Sequence, residues 1–309
     1  MKAEDITHVL ILGSGNMGQQ IGFQCAACGL SVTLHDVNRD VLDNALDRMG
    51  KLARNYVRNK RLTQQESEEA LDRIHPETDP VRAGEEADFV SESVPEDPEL
   101  KGQVFASFHQ ICPPRTIFTT NTSSLIPSMF AESTGRPDRF AAFHFHDVRY
   151  NTIVDIMPHP GTSRETLDLI EAFARRIHQT PIRLHRESHG YVFNAMFMDF
   201  LRAAQKLAAN NVASIEDIDR SWMGVMQTNI GPFEFMDSLG IDTVYKIADY
   251  WARQQNDPEQ RKVADFLKEY YVDQEYLGVK TGKGFYTYPD PAFARPGFIQ
   301  KENQEESLE

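Results

Sequence analysis

The chain has 309 residues, of which 40% are hydrophobic and 25% charged, with a formal net charge of −14. That length and apolar share suit two globular domains with real cores, and no apolar run approaches the ~18 residues of a membrane span. The acidic balance argues against a partner gripped through nucleic-acid phosphates, yet it leaves room for a small anionic ligand held by a local positive site.

The opening residues, MKAEDITHVLILG, run straight into a strand with no basic segment and no long apolar stretch, so no secretory signal is expected. Three cysteines, an odd number, fit a reducing, cytoplasmic compartment rather than a disulfide framework. Residues 9–12 read as a buried strand, 19–28 as a helix, and 31–35 as a second strand that ends at Asp36. Cys25 and Cys28 have redox spacing but fall inside that helix, where they read as core thiols.

Gly13, Gly15 and Gly18 stand between the first strand and the helix in G-x-G-x-x-G spacing. Gly13 permits the tight turn, Gly15 lets the backbone approach a pyrophosphate, and Gly18 lets helix and strand pack closely. The helix N-terminus attracts the anion, which places Asn16 and Met17 beside it. Asp36, eighteen residues after Gly18, can accept both hydroxyls of an adenosine ribose and repels a 2′-phosphate. The cofactor expected is therefore NAD, with Arg39 the one residue that softens the preference over NADP. The competing reading is a glycine-rich turn serving another ligand, as in a methyltransferase.

Residues 41–74 read as strongly helical. Lys51, Arg54 and Arg58 share one face of this stretch, and no acid interrupts residues 51–61. Thr63 and Glu66 form a capping box for a following helix. Strands are then expected at 88–94, 117–120, 140–145, 153–157 and 182–184, several of them separated by helices, as in a mainly parallel sheet. After Gly190 the pattern is all helical. Met196, Phe200, Ala203 and Leu207 form an apolar stripe, and Ser214 with Asp217 marks a later helix start. The last nine residues are polar and read as frayed.

Together these segments resemble the 3-hydroxyacyl-CoA dehydrogenase family over nearly the whole chain. The motifs are GSGNMG, VPE at 94–96 with Lys101, NTSSL at 121–125, HF at His144, GYVFN ending at Asn194, GPFEFMD at 231–237 and KTGKGFYTY at 280–288. The resemblance implies a doubly wound α/β Rossmann-type domain, 1–187, with a mainly parallel sheet. An all-helical C-terminal domain, 188–309, would follow and carry a homodimer interface. It implies reversible oxidation of an L-3-hydroxyacyl-CoA to the 3-oxo thioester with NAD as hydride acceptor. By position, Glu96, Lys101 and Asn121 would line the nicotinamide-ribose side, and Ser123, His144, Asp155 and Asn194 would form the catalytic group. The residue types suit the reaction. A histidine takes the hydroxyl proton as hydride leaves, a carboxylate fixes its tautomer, and Ser123 and Asn194 can hydrogen-bond the reacting oxygen.

The chain departs from the family inside FHFHDVRYNTIVDI, residues 143–156. It has His146-Asp147-Val148 where the family has x-Asn-Pro, and an aspartate eleven residues after His144 where the family has a glutamate twelve after. Arg149 in that loop can pair with a free carboxylate, which leaves a non-CoA 3-hydroxy acid, 3-oxo acid or diketo ester as the alternative substrate. The basic face at Lys51, Arg54 and Arg58 lies where the family contacts CoA. A non-catalytic NAD-binding protein is the third reading. His144 and His146 face one side of a strand, but Asp147 projects to the other and no third ligand is evident, so no metal is expected. The partners expected are a small-molecule substrate and a second copy of the chain, with neither nucleic acid nor membrane.

Overall fold

The computed structural model describes residues 1–300, and the polar tail from Lys301 lies outside the described residues. Two compact units divide between Phe193 and Asn194, six residues beyond the sequence-based boundary.

The first unit is built on one eight-stranded sheet. Its strands are β1 (His8–Leu12), β2 (Ser31–His35), β3 (Ile74–Glu77), β4 (Phe89–Glu92), β5 (Ile117–Thr120), β6 (Phe140–Phe145), β7 (Ile153–Met157) and β8 (Thr180–Arg183). They lie in the order β3-β2-β1-β4-β5-β6-β7-β8. All neighbours are parallel except β6 and β7, which are antiparallel. The first six strands make the Rossmann order, as expected from the alternating pattern. Central strands are buried on both faces and read as apolar runs. Val9, Leu10 and Ile11 are wholly buried, with Val32 and Leu34 beside them.

Helices cover the sheet: α1 (Asn16–Ala27), α2 (Arg39–Arg58), α3 (Gln64–Asp72), α4 (Pro80–Gly84), α5 (Pro98–Ile111) and α6 (Arg164–Arg176). Residues 41–74, expected to be helical throughout, form α2 and α3 and then turn into β3 at Ile74. The capping box opens α3 as expected: Thr63 accepts from the Glu66 backbone and Glu66 accepts from the Thr63 backbone. β3, Ile-His-Pro-Glu, was not expected. It is an edge strand with only Ile74 buried, so it carries no apolar run, and an edge tolerates Pro76.

The second unit is helical: α7 (Phe193–Ala209), α8 (Ile215–Met226), α9 (Pro232–Leu239), α10 (Ile241–Gln255) and α11 (Pro258–Leu267). Its core holds Leu201, Phe233, Met236, Ile241, Val263 and Leu267. Ser214 caps α8 by accepting from the Asp217 backbone. Of the stripe expected on α7, only Phe200 packs against this core. Leu201, Ala204 and Gln205 are buried there, whereas Met196 is 62% and Leu207 42% exposed. α7 carries two apolar rows, and periodicity cannot say which row meets the helix's own unit.

Candidate active site

The glycine turn after β1 has the shape a pyrophosphate needs. Gly13 has φ +96°, and a Cβ on it would meet the Ser93 carbonyl oxygen at 2.6 Å. A Cβ on Gly18 would meet the Gly13 carbonyl oxygen at 2.0 Å, so α1 lies against the turn as only glycine allows. Gly15, the residue before α1, has open space above it, and no side chain caps that helix. Backbone N–H groups at the start of α1 are thus left for an anion. Asp36, at the end of β2, accepts from the Ser14 backbone at 3.0 Å and the Ser14 hydroxyl at 2.8 Å through one oxygen. These features fit NAD: a glycine cradle, an uncapped helix start and an acid at the ribose position.

Beside the turn lies a cleft of about 320 Å³ lined by Gly15, Asn16, Met17, Glu96, Asn121 and Ser123, with Lys101 and Val94 at its wall. The Lys101 ammonium is 1% exposed and donates to Glu92 at 2.6 Å and to the Val94 carbonyl at 3.1 Å. It lies 3.3 Å from Glu96. Burial pushes the Glu92 carboxyl up, and the Lys101 ammonium works against that shift. Glu92 was not singled out in the sequence. It is wholly buried at the end of β4 and also accepts from Thr120 at 2.6 Å and the Val94 backbone at 2.7 Å.

Glu96 organises the 122–124 turn. One of its oxygens accepts from the Thr122 hydroxyl, the Ser124 hydroxyl at 2.8 Å and the Ser123 and Ser124 backbones at 3.2 Å. Burial alone would raise its carboxyl. The Thr122 hydroxyl and the Lys101 charge outweigh burial and hold it below the usual range. Asn121 accepts from the Phe145 backbone at 2.8 Å, tying the end of β5 to the end of β6. The Ser123 side chain is exposed at the cleft rim.

His144 and Asp155 face each other directly in the antiparallel β6–β7 register. Nδ1 of His144 is 3.3 Å from Oδ2 of Asp155, and both side chains are buried. The shorter acid therefore reaches the histidine across a strand pair. Nε2 of His146 lies 3.2 Å from the same oxygen, so one carboxylate serves two imidazoles. Burial alone would raise the Asp155 carboxyl, and the contacts from His144 and His146 hold it below the usual range. The carboxylate that meets both histidines is therefore Asp155, on the neighbouring strand, rather than Asp147.

Tyr191 also went unnoticed. It is buried, its ring stacks on His144 with centroids 4.6 Å apart, and its hydroxyl donates to the Thr122 carbonyl at 2.6 Å. It thereby fixes the imidazole plane and links it to the turn that bears Ser123. The only sequence signal was its place in GYVFN.

Asn194 belongs to the second unit, near the start of α7. Lys51, Arg54 and Arg58 are exposed on α2, opposite its buried row. Arg149 forks onto Asp147, with its Nε 2.8 Å from one oxygen and 3.1 Å from the other, so its guanidinium already has a carboxylate. Arg61, just past α2, donates to the Val148 carbonyl at 2.9 Å and its guanidinium lies 4.0 Å above the Tyr56 ring. The basic stretch thus anchors the loop between β6 and β7, a role its charge alone did not suggest.

Comparison with known proteins places this geometry. The family model described as "3-hydroxyacyl-CoA dehydrogenase, NAD binding domain" matches residues 8–188, and that for its C-terminal domain matches residues 190–288. A probable 3-hydroxybutyryl-CoA dehydrogenase of Bacillus subtilis is 31% identical over 288 residues, covering 93% of this chain and 99% of the relative. Among solved structures, a diketoreductase described as acting on dicarbonyl compounds is 38% identical with TM-score 0.83, covering 92% of this chain and 99% of that one. An (S)-3-hydroxybutyryl-CoA dehydrogenase of Ralstonia eutropha is 28% identical with TM-score 0.83, covering 93% and 100%.

Proposed function

The chain belongs to the 3-hydroxyacyl-CoA dehydrogenase family, and from that premise we propose that it interconverts a short-chain L-3-hydroxyacyl-CoA and its 3-oxo thioester. It is an NAD-dependent oxidoreductase acting on a CH–OH group. The observation that carries the reading is the cross-strand His144–Asp155 pair in the same unit as a dinucleotide cleft rimmed by Ser123 and Asn121. When bound, NAD supplies the hydride acceptor. The protein's own residues handle the proton and the orientation. His144 takes the carbinol proton on the ring nitrogen turned away from Asp155, and Asp155 stabilises the imidazolium that forms. Ser123 hydrogen-bonds the reacting oxygen, and Asn194 polarises the carbonyl as it develops. Glu96, Lys101 and Asn121 hold the nicotinamide-ribose side, while Gly13, Gly15, Asn16, Met17, Gly18 and Asp36 hold the rest of the cofactor.

The acyl-CoA reading draws on α2. Its exposed Lys51, Arg54 and Arg58 offer cations to phosphate groups, and Arg61 at its end holds the loop beside His146. The second reading, a non-CoA dicarbonyl or 3-oxo acid, draws on the 38% identical diketoreductase. NADH oxidation with acetoacetyl-CoA, run beside acetoacetate and a β,δ-diketo ester, separates them. Turnover of the thioester alone supports the first reading. Preference for the ester or free acid overturns it in favour of the second, and no turnover with any of the three removes both. The second unit also exposes large apolar side chains, among them Met196, Val225, Met226 and Tyr250. A homodimer through this unit is the assembly proposed. Light scattering at the mass of one chain would exclude it.

A further inference from the structure

His144, His146 and Asp155 present three ligand atoms, all within 4.8 Å of one another. The arrangement follows from the strands. Residues 144 and 146 are two apart and point to one side, and Asp155 lies opposite His144 in register on β7. The two contacts to the shared Asp155 oxygen, 3.3 and 3.2 Å, are long for hydrogen bonds to a carboxylate, which run ~2.7–2.9 Å. They match the edge of a tetrahedron around a zinc-class ion, about 3.3 Å for metal–ligand bonds of ~2.0–2.1 Å. Two edges of such a site are thus already set. The remaining edge, between the imidazoles, is no longer than 4.8 Å. The His146 side chain is 16% exposed, against 5% for His144 and 1% for Asp155, so the cluster opens on the His146 side.

We propose that His144, His146 and Asp155 form a binding site for one zinc-class divalent cation, and that occupation of this site inhibits the enzyme. Two imidazoles and a carboxylate suit zinc, with water in the fourth position. The inhibition follows from proton placement and rests on the role proposed for His144. A cation on Nδ1 takes that nitrogen's lone pair, and the ring's proton moves to Nε2. The nitrogen that would accept the carbinol proton is then already protonated. The imidazole stays neutral, no proton is lost from the ring, and the base is blocked. The His146 ring makes the same exchange, with its proton moving to Nδ1.

Cobalt(II) added to the full chain without cofactor tests the site directly, since a tetrahedral nitrogen–oxygen site gives intense visible ligand-field absorption. Titration is expected to reach one cobalt per chain, and zinc to displace it. His146→Ala and His146→Asn are each expected to weaken cobalt binding at least tenfold, with circular dichroism reporting whether each variant is folded. Cobalt binding of undiminished affinity in both folded variants, or no tetrahedral spectrum in the parent, overturns the site. The second arm reads NADH oxidation with acetoacetyl-CoA at rising zinc, each protein against its own metal-free rate. Inhibition that a chelator reverses, and that needs at least tenfold more zinc in the His146 variants, supports the proposal. Cobalt binding with no effect of zinc on the rate overturns the inhibitory role alone. If the chain turns over none of the substrates, the cobalt spectrum still decides the site, so its failure and the failure of the functional reading stay distinct.

Discussion

At the scale of single residues, the proposed proton transfer rests on the pairing of His144 with Asp155. The acid is one methylene shorter than the family's glutamate. In this chain the two residues stand directly opposite each other on β6 and β7. The proposed division of labour separates chemistry from cofactor binding, since neither residue lines the cleft at Gly15 and Asn121. His144→Ala is therefore expected to lower turnover by ~10³-fold, within the range for a lost general base, while NADH affinity from a fluorescence titration stays within about twofold of the parent. A comparable loss of NADH binding would remove His144 from the role of base. In Asp155→Asn an amide replaces the carboxylate that holds both imidazoles, and kcat is expected to fall ~10²- to 10⁴-fold with a smaller change in KM. A rise in KM with kcat unchanged would point instead to a role in substrate binding. His144, Asp155, Ser123 and Asn121 were singled out through the family resemblance, and the contact between the first two is present in the fold. The second imidazole on Asp155 was not legible, because spacing alone does not say which acid of the neighbouring strand faces a given histidine.

At the scale of elements, β4 and α5 are joined by a charge pair buried beside the cofactor cleft. Lys101 on α5 and Glu92 on β4 are 1% and 0% exposed, and their atoms meet at 2.6 Å. Removing one member of such a pair leaves an uncompensated charge in a poor dielectric, typically destabilising by about 3–5 kcal/mol. Lys101→Met is expected near the lower end of that range in urea denaturation, because burial already favours protonation of Glu92. The double change Lys101→Met with Glu92→Gln is expected to recover most of the loss. Equal destabilisation of the single and double variants would show that packing of the lysine stem, rather than charge, joins the elements. Lys101 was legible as part of a motif. Glu92 was hidden in a strand whose four residues are all buried, where an acid is unexpected without sight of its partner. The missed β3 and the misjudged stripe on α7 share a cause. A short edge strand has little apolar signal, and a helix with two apolar rows has too much. Only the packing of neighbouring elements decides either case.

At the scale of the whole molecule, an acidic chain with charge −14 repels itself more as pH rises, and the second unit adds a specific term. Glu234 on α9 has one carboxylate oxygen buried without a hydrogen-bond partner. Burial, helped by the nearby Asp219 and Asp237 carboxylates, pushes its carboxyl up to about 7. Asp219, wholly buried, is pushed up to about 6 by burial, although the Phe233 backbone and the Tyr286 hydroxyl donate to it. A carboxyl raised in the folded state binds its proton more tightly there than in the unfolded chain. Its contribution is therefore fully present below the unfolded value, ~4.3 for glutamate, and is lost as pH rises through the folded value. Melting temperatures at fixed ionic strength are expected to fall from pH 5 toward pH 8. Glu234→Gln keeps the shape and removes the ionisation, so it should flatten much of that fall, leaving the part due to Asp219 and general charge repulsion. The variant is also expected to be more stable than the parent at pH 8 by on the order of 1 kcal/mol, after discounting for its partial exposure. A Glu234→Gln melting profile parallel to the parent's across this range would place the pH dependence in net charge alone. A profile that flattens would place it in the buried Glu234 carboxyl on α9, with its Asp219 and Asp237 neighbours.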